Sequence, residues 1–157
     1  MIPKIGISEI HLKQIVNLLS VVLSDEMTLY VKTRKFHWNV AGQSFMELHK
    51  LFEKQYSESE IIIDEVAERI NKLGSKTIGT MNEFTLLSRI IEHPNKYPVQ
   101  KAMISELLSD HETLIAELRK DIDVCSDECH DAGSADLLTK ILQQHESTAW
   151  ILRRYLS

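Results

Sequence analysis

The chain has 157 residues, 43% hydrophobic and 26% charged, with five Gly, three Pro and two Cys. That length fits one globular domain over residues 1–157, able to bury roughly 68–70% of its unfolded surface, and it excludes a module that depends on disulfides for its core. Eighteen Lys and Arg against 23 Asp and Glu leave a formal net charge of −5, which excludes a general attraction to polyanions such as DNA or acidic membranes.

From Ser8, an expected N-cap, apolar residues recur at Leu12, Ile15, Val16, Leu19, Val22, Leu23, Met27, Tyr30, Val31 and Trp38. This period near 3.6 predicts a first long helix to about Val40. Its most apolar run, residues 15–23, is broken by Asn17 and Ser20 and is too short for a bilayer or a signal peptide, so no membrane partner is expected. Two free cysteines in such a chain suit a reducing, cytoplasmic location. Gly42 marks a short break. Ser44 with Glu47 three residues later predicts a capping box that opens a second long helix through Phe52, Tyr56, Ile63 and Ile70 to Leu73, with Gly74 ending it.

More than twenty residues then separate Gly74 from Pro98, including a short helix expected over Phe84 to Ile91. A connection of that length can travel the height of a bundle and so make the second and third long helices parallel. The third is expected from near Pro98 towards Cys125, and the last from a Ser134 cap through Leu138, Leu142, Ala149, Leu152 and Leu156. The fold class is therefore all-α, a four-helix bundle with a short helix in its long crossover.

The candidate chemistry lies on the first two helices. At about 100° per residue, His49, Glu53, Asp64 and Glu68 fall near 0°, 40°, 60° and 100°, on one side of the second helix. Imidazole and carboxylate ligands one turn apart suit iron, manganese or zinc. His37 lies five residues before Gly42 and His49 seven after it, so an antiparallel hairpin brings the two imidazoles to one height, where Glu53 can join them. Asp64 and Glu68 stand about 22 Å further along the helix, out of reach in the same chain. Two second helices packed antiparallel about residues 58 and 59 bring residue 51 of one opposite residue 66 of the other. The spacing therefore predicts an isologous dimer with two shared metal sites. No Glu-x-x-His occurs in the chain, so the intrachain di-metal pattern is absent, and His11, His93, His111 and His145 are expected at the surface or the core edge.

The run Lys35-Phe36-His37-Trp38-Asn39-Val40-x-Gly42-x-x-Phe45-x-x-Leu48-His49-x-x-Phe52-Glu53, followed by Asp64-x-x-Ala67-Glu68-Arg69-Ile70, resembles the signature of the Dps family of ferritin-like mini-ferritins. The resemblance spans the chain in helix order. It implies a ferritin-like bundle and a hollow homododecamer of twofold dimers, with non-haem iron bound at His37, His49, Glu53, Asp64 and Glu68 in a ferroxidase centre shared between subunits. It further implies oxidation of Fe2+ to Fe3+, with hydrogen peroxide as oxidant, storage of ferric mineral and protection from oxidative damage. Glu53 stands where many members carry aspartate. By the same resemblance Trp38 supports the site or donates electrons, and Asp127, Asp131 and Asp136 match a region that lines threefold pores for iron.

The alternative function within that family is nucleoid compaction through a Lys-rich arm. Only Lys4 and Lys13 occur in the first twenty residues, and only Arg153 and Arg154 near the other end, so direct DNA binding is not expected. Cys125, Cys129 and His130 offer two thiols and one imidazole for a soft metal but lack a fourth ligand, and are read as structural.

Overall fold

The structure, a computed structural model, describes residues 3–157. The helices are α1 Glu9–Asn39, α2 Phe45–Lys72, the short α3 Met81–Leu87, α4 Gln100–Asp123 and α5 Ala132–Leu156, with a π-helical turn at Val124–Glu128 between the last two. No strand occurs among the described residues, and no described helix is long and apolar enough to cross a membrane.

Local chemistry sets the boundaries. The Ser8 hydroxyl accepts the His11 backbone N–H at 3.2 Å, opening α1 as expected. Gly74 adopts φ +88°, and the Ser75 N–H reaches the Ile70 carbonyl at 3.3 Å while the Gly74 N–H reaches Asn71 at 2.9 Å. That Schellman closure ends α2 where the glycine predicts. Three expectations need correction. Ser44 makes no capping hydrogen bond, its backbone at φ −96° and ψ 28° lying outside the extended region an N-cap adopts, and Glu47 accepts instead from the Tyr155 hydroxyl at 2.6 Å. The capping box sits at Thr80 and Glu83, so the short helix begins at Met81, not Phe84; it ends at Leu87 as Ser88 turns extended. Finally, Asp131, not Ser134, caps α5: its carboxylate accepts the Gly133 and Ser134 N–H groups, both at 3.1 Å.

Side-chain pairs establish the topology. His37 meets His49 while Tyr30 meets Glu60, so α1 and α2 are antiparallel. Lys32 pairs with Asp110, and Arg89, bonded to Asp25, also holds Asp121; α1 and α4 are therefore antiparallel as well. It follows that α2 and α4 are parallel, as the long crossover predicts. α5 runs against α2, with Glu58 on Gln144 and Glu65 on Lys140. Arg89 fastens the crossover, joining Asp25 of α1 to Glu117 and Asp121 of α4.

The core is filled by leucine, isoleucine and phenylalanine from all four long helices, among them Ile15, Leu19, Phe36, Phe52, Ile70, Leu107, Leu114, Leu138 and Leu152. Burial of this kind contributes roughly 1.5–3 kcal/mol per large side chain. Two histidines depart from expectation. His111 and His145 are 5% and 2% exposed, in the bundle centre. His145 Nε2 lies 2.6 Å from the buried Glu26 carboxylate, and the two Nδ1 atoms lie 2.8 Å apart. With Glu26 as acceptor, His145 carries its proton on Nε2 and accepts the His111 Nδ1–H, which leaves a lone pair on His111 Nε2. That atom and the Gln55 amide find no protein partner among the described residues; His111 and Gln55 border a cavity of about 10 Å³, the size of one water molecule.

Candidate metal centre

Where α1 ends and α2 begins, the five residues Val40 to Ser44 reverse the chain and lay the last turn of one helix beside the first turns of the other. His37 and His49 face each other there. Their rings stack at 3.7 Å between centroids, 20° from parallel. His37 Nδ1 is 2.7 Å from the His49 carbonyl oxygen, and His49 Nδ1 is 2.9 Å from the His37 carbonyl. A carbonyl only accepts, so each Nδ1 carries its proton and each Nε2 presents a lone pair. Fixing a ligand's tautomer through its other nitrogen is how metal-binding histidines are commonly oriented. Phe45 packs on His49 at 5.1 Å and Tyr56 stands edge-on to His37 at 5.3 Å, so rings hold the pair from both sides.

Of the five residues expected to bind metal, the structure brings together these two. Glu53 is exposed one turn further along α2, and no three His, Cys, Asp or Glu side chains converge on a metal site among the described residues. The expected convergence of His37, His49 and Glu53 within one chain is therefore not formed. Asp64 and Glu68 are also exposed, and Glu68 accepts from Lys72 at 3.1 Å. Adjacent imidazoles with unpaired Nε2 atoms and surface carboxylates on the same helix constitute an open donor set of nitrogen and oxygen, suited to a borderline divalent cation.

The remaining candidates separate. Asp127 and Asp136 are exposed beside the turn into α5, whereas Asp131 is 3% exposed. Burial alone would raise its pKa, but hydrogen bonds from Ser134 and the Arg69 guanidinium, 2.7 Å away, outweigh it and hold the carboxylate below its usual range. Asp131 therefore positions the turn from inside, and its carboxylate is not free to line an opening. Cys125 and Cys129 are buried free thiols. Burial, with Asp131 nearby, pushes Cys125 up to about 12, and burial also raises Cys129, so both stay protonated in the folded chain. His130 is exposed with φ +55°.

Two groups escape the reading of metal-ligand spacing. One is the Glu26, His145 and His111 chain, whose signal is that His111 sits among Leu107, Leu114 and Leu118, and His145 among Leu142, Ala149 and Leu152, in core register. The other is the aromatic surround of His37. Tyr30, Arg34 and Trp38 succeed one another at four-residue intervals on α1, and Tyr56 and Glu60 do so on α2, each set along one helix face.

Comparisons with known proteins agree with the helical fold. A family model described as a ferritin-like domain matches residues 16–157. A low temperature-induced protein of Nostoc sp. is 40% identical over 152 residues, covering 97% of this chain and 85% of the relative. DNA protection during starvation protein 2 of Bacillus anthracis is 35% identical over 145 residues, covering 92% and 98%. Among solved structures, a DPS protein of Vibrio cholerae, described as a member of a superfamily of ferritin-like diiron-carboxylate proteins, superposes with TM-score 0.92 at 26% identity, covering 100% and 98%.

Proposed function

The chain belongs to the Dps family of ferritin-like proteins, and from that premise we propose that it is a cytoplasmic ferroxidase and iron store. It oxidises Fe(II) with hydrogen peroxide at sites shared between subunits and keeps the ferric product in a hollow homododecamer, which limits oxidative damage. The observation that carries this reading is the reciprocal histidine pair. Two imidazoles are held by each other's carbonyls with both Nε2 atoms available, and among the described residues no third ligand side chain already converges on them. A second copy, its α2 antiparallel about residues 58 and 59, supplies Asp64 and Glu68, and Glu53 adds a carboxylate from the first. Ile61, 61% exposed near that midpoint, is the kind of apolar surface such a contact covers.

Iron is the substrate here. The imidazoles and carboxylates bind Fe(II) loosely enough to leave positions for peroxide, and the carboxylates favour the more highly charged ferric product. Asp127 and Asp136 form the acidic approach, with Asp131 holding their turn. Mixing the apoprotein with Fe(II) and peroxide tests the reading. Ferric absorbance is expected to rise well above the rate in buffer, and His37→Ala with His49→Ala to reduce that rate by about 100-fold or more. No acceleration by the unaltered protein contradicts it.

A further inference from the structure

Beyond His37 the rings continue. Tyr56 stands edge-on to His37 at 5.3 Å, and Tyr30 edge-on to Tyr56 at 6.1 Å. The Arg34 guanidinium lies over Tyr56 at 4.4 Å, over Tyr30 at 5.4 Å and over Trp38 at 5.5 Å. The Tyr30 hydroxyl accepts from Arg34 and donates to Glu60 Oε1 at 2.7 Å. Glu60 is exposed at its far side, with Arg34 3.7 Å away.

Reduction of peroxide to water takes two electrons, whereas one Fe(II) gives one. A centre holding a single Fe(II) is one electron short, and the shortfall escapes as hydroxyl radical. We propose that Tyr30 supplies the second electron, through Tyr56 and His37, while its phenolic proton passes to Glu60. This rests on the ferroxidase reading. Hydrogen peroxide, one Fe(II), the Tyr30 phenol and one net proton from solvent give Fe(III), a neutral Tyr30 phenoxyl radical and two waters. The O–O bond breaks, peroxide gains two electrons, and iron and phenol lose one each. Glu60 then releases the phenolic proton to water.

The neighbouring rings are less suited to the task. A guanidinium over a ring opposes the positive charge that electron loss leaves there, most strongly for Tyr56, which it approaches closest. Tyr30 avoids that charge because a carboxylate already hydrogen-bonded to its hydroxyl takes the proton as the electron leaves. Trp38 is 65% exposed, with Arg34 over its face.

The test is rapid freeze-quench electron paramagnetic resonance on assembled protein loaded with one Fe(II) per centre and mixed with peroxide, with ferric absorbance followed in parallel. A tyrosyl signal is expected to rise with the ferric product. Tyr30→Phe is expected to lose it and to release hydroxyl radical to a spin trap, Trp38→Phe to keep it, and Glu60→Gln to slow its rise by about tenfold or more. Ferric product without a tyrosyl signal, or a signal that survives Tyr30→Phe, overturns the proposal and leaves the ferroxidase reading standing. No ferric product at all overturns that reading, and the proposal with it.

Discussion

His111 shows what one side chain costs and contributes in a bundle core. Burial first, and then the neighbouring His145, hold its pKa well below 6.5, so the folded chain keeps it neutral. The groups facing it are His145 from α5, Glu26 from α1 through His145, and Gln55 and Glu58 from α2. Below about pH 6.5 the unfolded chain takes up a proton that the folded chain refuses. This contribution is therefore complete above that pH and is lost as the pH falls beneath it, by up to ~1.4 kcal/mol per unit for one proton. Urea midpoints measured at about pH 7.5 and about pH 5.5 are expected to fall with acid, and His111→Gln to flatten that difference. Equal midpoints for the unaltered protein contradict the assignment. The histidine pair of the candidate centre was legible from spacing, because His37 and His49 flank a short turn at nearly equal distance. The central pair was not, because polar residues on a core face carry no ligand-like spacing and gain their meaning only when Glu26 arrives from another helix.

At the scale of elements, the turn into α5 yields predictions opposite to helix propensity. Gly133 lies in the first turn of α5, where alanine normally adds roughly 1 kcal/mol of helix stability. A Cβ there meets Arg69 Nη2 at 2.8 Å, and that guanidinium is pinned by Asp131 and Ser134. Gly133→Ala is therefore expected to lower stability by about 1 kcal/mol, measured by denaturant unfolding; a gain of similar size contradicts the packing. Asp131→Ala removes the cap of α5 and the partner of Arg69 together, with an expected loss of about 2 kcal/mol or more. The long helices were readable because their apolar residues repeat every 3.6 positions over 24 residues or more. Their ends were less so. Ser44 and Glu47 have the capping-box spacing, but the Ser44 backbone lies outside the extended region and a distant tyrosine takes the glutamate, whereas Thr80 and Glu83 have the same spacing and close the box.

For the whole molecule, the formal net charge of −5 has a specific consequence. Gel-shift titration at low salt without divalent cations is expected to show no tight complex with DNA; a tight complex there requires a basic surface that this balance does not predict. The same acidity becomes useful if many copies enclose a space, since carboxylates near its openings draw cations inward. Why one chain folds completely and yet is proposed to hold only part of a metal site is likewise a matter of scale. The bundle closes its core alone, but a straight α2 keeps His49 and Glu68 too far apart to share an ion. Diffraction at the iron absorption edge from crystals soaked in Fe(II) tests this most directly. The account predicts anomalous density between His37, His49 and Glu53 of one subunit and Asp64 and Glu68 of another. Iron bound wholly within one chain, or absent from the paired histidines, contradicts it.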